Sequence, residues 1–261
     1  MAGLFDKQAK LYAEGRPDYP FELFEFIASK TADHDLVWDV GTGSGQAAVS
    51  LANLYKNIVA TDISQQQLSF AHPHPNVRYL HTPFSMPPTD VTRAIAPQGS
   101  VDLVTVAQAL HWFDPNTFYQ QVKWLLKKPG GVFAAWCYTL PKVNEAVDSI
   151  LANLYTTSDH FWASERKLVD AEYRTLEFPF EPVEGEEHTG PFVFERTREM
   201  DLEAFLTWIR TWSAYQTAHM EGVELLSEEV VKKFEQAWKN SVGKDALARY
   251  PIFLRIGRIP M

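Results

Sequence analysis

Val37-Trp38-Asp39-Val40-Gly41-Thr42-Gly43-Ser44-Gly45-Gln46 is the stretch that decides the fold. An apolar run, Leu36 to Val40, ends in a glycine cluster, and apolar residues return at helical spacing through Val49, Leu51 and Leu54. The order is strand, turn, helix. Glycines at 41, 43 and 45 let the main chain turn and approach a ligand where a Cβ would clash. Asp62 closes the next apolar run, Asn57 to Thr61, twenty-one residues after Gly41. That offset matches the roughly 20 residues separating such a turn from a carboxylate that accepts hydrogen bonds from an adenosine ribose.

Two side chains set the expected charge of the ligand. A dinucleotide fingerprint has Gly or Ala where Gln46 stands, and it aims a helix N-terminus at a pyrophosphate. Asp39, two residues before Gly41, would repel a pyrophosphate but stabilise an ammonium group through water. A zwitterionic, phosphate-free adenosine compound therefore fits better than a dinucleotide. No Gly-Lys-Ser/Thr follows the glycines, which excludes a Walker loop. An NAD(P)-dependent oxidoreductase stays as the alternative that Gln46 and Asp39 argue against.

Outward from the loop, helix and strand patterns alternate. Phe21 to Lys30 has helical spacing behind Pro20, Gln65 to Phe70 starts a helix capped by Ser64, and Val77 to Leu80 is a third strand. Val101 to Ala107 is nearly continuous in apolar residues, as in a strand buried on both faces of a parallel sheet. Pro115 to Leu126 is a helix and Val132 to Trp136 a fifth strand. This alternation predicts right-handed β-α-β crossovers in an α/β, doubly wound, mostly parallel sheet, with ligands at the strands' carboxyl ends. After Tyr138 the rhythm changes. Helical stretches at Val143 to Tyr155, Ser164 to Leu176, Leu202 to Thr217 and Ser227 to Asn240 surround a Pro- and Glu-rich segment, Phe178 to Glu187, and Ile252 to Ile256 is a last strand. The expected organisation is a lid and first helix over 1–30, a nucleoside-binding core over 31–140, a helical cap over 141–240 and a returning strand over 241–261.

Composition narrows the function classes. The 261 residues carry a formal net charge of -9 with dispersed basic residues, which argues against nucleic acid as a partner. No apolar run approaches the roughly 20 residues of a membrane span. Met1 to Asp18 carries Asp6, Lys7, Lys10, Glu14 and Arg16, unlike the apolar middle of a secretory signal. Cys137 is the single cysteine, so no intramolecular disulfide forms, and a cytoplasmic setting is expected. His72-Pro73-His74 lies among few other ligands, and no metal is expected.

With these motifs the chain resembles the class I S-adenosylmethionine-dependent methyltransferases. The likeness runs from about Asp6 to Tyr138, through Asp39 to Gly45, Asp62, Val101-Asp102-Leu103-Val104 and Leu126-Lys127-Lys128-Pro129-Gly130-Gly131. More narrowly, Tyr12 to Pro20, Gln108-Ala109-Leu110-His111-Trp112-Phe113-Asp114 and Trp208-Ile209-Arg210-Thr211-Trp212-Ser213 look like the branch that includes trans-aconitate and related small-acid methyltransferases. The resemblance implies a Rossmann-like core and S-adenosyl-L-methionine as cofactor. It implies that Asp39 and the loop Gly41, Thr42, Gly43 and Gly45 hold the methionine portion, that Asp62 holds the ribose, and that Ile63 packs on adenine. The segment Thr82-Pro83-Phe84-Ser85-Met86-Pro87 lacks the acidic or amide side chain that many relatives place near adenine, which leaves backbone groups and Phe84 for that task.

Methyl transfer from a sulfonium is an in-line displacement, so the protein's main work is to align the reactants and exclude water. A carboxylate acceptor is already ionised at pH 7, whereas a phenol or amine gains from a general base. His111, beyond the fourth strand, is the base candidate, against the competing reading of a packed wall residue. Gln108 is placed to orient the methionine or the acceptor. Arg16, flanked by Tyr12 and Tyr19, is a candidate lid residue that would clamp a carboxylate bidentately. Tyr12, Trp112 and Arg210 are acceptor-site candidates. The leading expectation is O-methylation of a small-molecule carboxylate or hydroxyl, with a non-catalytic S-adenosylmethionine-binding protein as a third class.

Overall fold

The computed structural model describes residues 18–83, 85–241 and 245–260. Seven strands form one sheet in the order β3-β2-β1-β4-β5-β7-β6. The five on one side are parallel: β1 (Leu36–Val40), β2 (Asn57–Asp62), β3 (Val77–His81), β4 (Leu103–Ala107) and β5 (Val132–Tyr138). The helices α1 (Phe21–Ser29), α2 (Gln46–Leu51), α3 (Gln65–Ser69), α4 (Pro88–Ala94) and α5 (Pro115–Leu125) precede or join them, so the doubly wound α/β expectation holds. Local chemistry starts these helices. Ser64 Oγ accepts from Gln67 N at 3.1 Å and Asp114 Oδ1 from Thr117 N at 2.9 Å, each satisfying an amide that the first helical turn leaves unpaired.

Strand side chains alternate between two cores. Val37, Ile58, Leu103, Ala134 and Trp136 face one hydrophobic cluster with Leu23, Phe24 and Ile27 of α1. Trp38, Val59, Val104, Phe133 and Cys137 face a second with Phe118 and Val122 of α5. All seven residues of β5 are buried, as expected for a central strand covered on both faces. Asp102 fixes the start of β1, accepting from the amides of Asp35 (2.8 Å) and Leu36 (2.7 Å), and it pairs with Lys127.

The C-terminal half departs from the expected pattern in three places. The helical reading of Ser164 to Leu176 shrinks to α7 (Arg166–Asp170), which follows α6 (Glu145–Thr157). The amphipathic stretch Leu202 to Thr217 is two helices, α8 (Leu202–Arg210) and α9 (Ser213–Met220), because Trp212 takes an extended conformation (φ -66°, ψ 139°) between them. Inside the segment read as a helical cap, Phe192–Met200 is a strand, β6, at the sheet edge. Beyond α10 (Glu228–Ser241), the last strand β7 spans Ala246–Arg258 and runs antiparallel to both β5 and β6. Arg255 of β7 is 8% exposed and donates to the Tyr173 carbonyl at 2.8 Å and to the Thr189 carbonyl and hydroxyl at 3.2 and 3.0 Å, tying the 173–189 segment to the sheet.

Candidate active site

The carboxyl ends of β1, β2 and β4 open onto a crevice of about 990 Å³, part of it open to solvent. Its floor is the glycine loop between β1 and α2. Gly41, Gly43 and Gly45 all have positive φ (66°, 59° and 85°), a conformation that side chains rarely adopt. Gly45 has a second reason: a Cβ there would clash with the Tyr79 hydroxyl oxygen. Among the described residues Gly43 has open space instead, with only Gln67 Oε1, at 3.9 Å, near the point where its side chain would begin.

Asp62, at the end of β2, lines the crevice. Its Oδ2 accepts from Gly43 N and its Oδ1 from Ser64 N, both at 2.8 Å, so the carboxylate clasps the glycine loop and retains lone pairs for a ligand. Burial raises its pKa against these amides, which favour the ionised form. Ile63 follows it, 37% exposed and part of the crevice wall.

Asp39 lies beneath the loop rather than in the wall. It is fully buried, and its two oxygens accept from the hydroxyls of Thr42 (2.5 Å) and Thr105 (2.6 Å). Burial pushes its pKa up to about 6. Thr42 is itself buried, its amide donating to the Thr61 carbonyl at 3.0 Å, so its hydroxyl serves Asp39.

Three sequence-predicted residues make contacts of their own. Gln108 lines the crevice, but its side chain is committed elsewhere: Nε2 donates to the Tyr138 carbonyl at 3.0 Å and Oε1 accepts from Tyr138 N at 3.2 Å, joining the ends of β4 and β5. Its backbone is left-handed, at φ 57°. His111 is buried outside the crevice wall, with Nδ1 3.0 Å from the Tyr173 hydroxyl, and burial lowers its pKa to about 3. An imidazole so placed is a poor proton acceptor. Arg210 is not among the residues lining the crevice and pairs with Glu203 at 2.7 Å on α8. Trp112 does line the crevice, beside Phe113 and Phe118. Arg16, Tyr12 and Phe84 lie outside the described residues.

Thr82, Pro83 and Met86 of the segment expected near the adenine line the crevice, whereas Gln67 and Gln121, also crevice residues, were missed by the sequence reading. Gln121 reaches it from α5, its Nε2 donating to the Met86 carbonyl at 2.6 Å, a contact across 35 residues with no local signature. Among the described residues no three His, Cys, Asp or Glu side chains gather as a metal site, and no helix is long and apolar enough to cross a membrane.

These features fit a cationic nucleoside without phosphates. Asp39 and Asp62 supply negative charge around the glycine loop, no lysine or arginine is among the described wall residues, and the missing side chain at Gly43 leaves a cradle. Fold and crevice together define a Rossmann-like protein that binds a nucleoside at the switch between β1 and β4.

Residues 38–135 match the family model described as a methyltransferase domain. A Dictyostelium discoideum protein named as a methyltransferase is 30% identical over 97% of this chain and 94% of its own. A Saccharomyces cerevisiae protein named as an S-adenosylmethionine-dependent methyltransferase is 34% identical over 50% of this chain and 45% of its own. The solved structure of an Anaeromyxobacter dehalogenans protein named as a type II methyltransferase is 32% identical, with a TM-score of 0.78 over 94% of this chain and 99% of that one. The chain belongs to the class I methyltransferases, and S-adenosylmethionine is its methyl donor. Membership favours neither a dinucleotide oxidoreductase nor a non-catalytic binding protein.

Proposed function

We propose that the enzyme O-methylates a small molecule, with a carboxylate preferred over a hydroxyl as acceptor, in keeping with the small-acid branch its motifs resemble. One observation carries this reading: among the described residues the best base candidate, His111, is withdrawn from the crevice and held neutral, with a pKa of about 3. A carboxylate needs no deprotonation at neutral pH, whereas a phenol or amine acceptor does.

The bound cofactor supplies an electrophilic methyl on a sulfonium. The chain's own part is placement. Asp62 holds the sugar hydroxyls, Asp39 acts from below the loop on the ammonium end, and Ile63 packs against the adenine. Gln108 fixes the wall through its side-chain bonds to Tyr138, and Trp112 with Phe113 shields the site from water. Residues 141–240 shape the acceptor end.

The test is transfer of radiolabelled methyl from S-adenosylmethionine to a panel of small carboxylic acids and phenols. Expected is a product whose label is released by mild base, the mark of an ester. A base-stable product from a phenol or amine, with the acids inert, overturns the carboxylate preference. His111→Gln is expected to keep kcat within about threefold, because loss of a general base costs on the order of 100-fold or more.

A further inference from the structure

Gln67 carries a side-chain oxygen that the fold leaves without a partner. The residue lies in the first turn of α3, where its backbone N–H is taken by the Ser64 cap at 3.1 Å. Its side chain lines the crevice and is 3% exposed, yet Oε1 accepts no hydrogen bond. A buried acceptor of this kind is unfavourable unless a donor arrives, so a site that keeps one is prepared for a ligand.

The surroundings say which part of the ligand. Among the described residues, Oε1 is the sole atom beyond the chain neighbours of Gly43 within 4 Å of the point where a Gly43 side chain would begin. The amide of the same glycine donates to Asp62 Oδ2 at 2.8 Å. The open space over Gly43 is thus bordered by two acceptors, a carboxylate and a neutral amide oxygen. Of the parts of a nucleoside, the ribose offers two adjacent donors, its hydroxyls.

We infer that Gln67 is a second sugar-reading residue, its Oε1 accepting from one ribose hydroxyl of the cofactor beside Asp62. The inference rests on the S-adenosylmethionine reading of this crevice. It makes an unusual pair of demands on one substitution: removing the oxygen weakens cofactor binding, while relieving the unoccupied protein of an unsatisfied polar group.

Calorimetric titration of wild type and Gln67→Leu with S-adenosylhomocysteine and its 2′-deoxy and 3′-deoxy analogues, together with thermal melts of the unliganded proteins, tests both demands. Wild type is expected to lose roughly 3- to 10-fold in affinity when the contacted hydroxyl is removed. Gln67→Leu is expected to lose a similar factor for S-adenosylhomocysteine, to stop distinguishing that deoxy analogue, and to melt no lower than wild type. Unchanged affinity, retained discrimination against both deoxy analogues, or a lowered melting temperature accompanying the affinity loss overturns the inference. Gln67→Met, which keeps the length without the acceptor, gives the same readings if the leucine variant does not fold. Failure of wild type to bind S-adenosylhomocysteine at all removes the cofactor reading itself, a result distinct from any of these.

Discussion

A fully buried carboxylate with two hydroxyl partners sets the residue-scale energetics of this site. The pKa of Asp39, about 6, lies above its ordinary value of 3.8, so the unliganded protein binds this proton more tightly folded than unfolded. That contribution is complete below about pH 4 and is lost as pH rises through 6, at most about 3 kcal/mol. Asp39→Asn is therefore expected to raise the melting temperature of the unliganded protein at pH 8 and flatten its pH dependence between pH 4 and 6. It is also expected to weaken S-adenosylmethionine binding about tenfold by removing the countercharge to the ammonium, as titration calorimetry would measure. Gly45→Ala combines a positive φ of 85° with a clash against the Tyr79 hydroxyl and is expected to destabilise by about 2–4 kcal/mol in denaturant melts, with partial rescue by Tyr79→Phe. The glycine loop and Asp62 were legible in the sequence because their spacing belongs to one β-α-β unit. The fates of His111 and Gln108 were not: their partners lie 62 and 30 residues away, and tertiary packing alone brings them together.

Among the elements, the strands of the parallel half announce themselves as continuous apolar runs, while the antiparallel half does not. β6 reads Phe-Val-Phe-Glu-Arg-Thr-Arg-Glu-Met; its residues alternate between partly buried and exposed, and five of the nine are polar, as in a solvated segment. The α8–α9 break was hidden for the opposite reason. Apolar spacing continues across Thr211 and Trp212, both buried, and only the extended backbone at Trp212 divides the helices. Arg255 supplies the test at this scale. Arg255→Met strands the Tyr173 and Thr189 acceptors without donors and is expected to cost about 2–4 kcal/mol in chemical denaturation. Because Arg255 is not a crevice residue, the affinity for S-adenosylmethionine is expected to stay unchanged.

For the molecule as a whole, cofactor binding and folding are linked, since a crevice assembled from the ends of β1, β2 and β4 exists only in the folded chain. S-adenosylmethionine at a hundredfold excess over its Kd is expected to stabilise by about 2.7 kcal/mol, a rise of roughly 5–10 °C in Tm, while NAD at the same concentration leaves Tm unchanged in scanning fluorimetry. The sheet order carries a further consequence, for synthesis on the ribosome. β6 pairs with β7 and, among the described strands, with no other. When β6 emerges from the exit tunnel its only neighbour in the sheet has not been made, and the exposed side of β5 is equally unpaired. Until the final strand slides between them, the nascent chain presents two open edges at once, and that interval is when it is most open to capture by chaperones or by other unfinished chains.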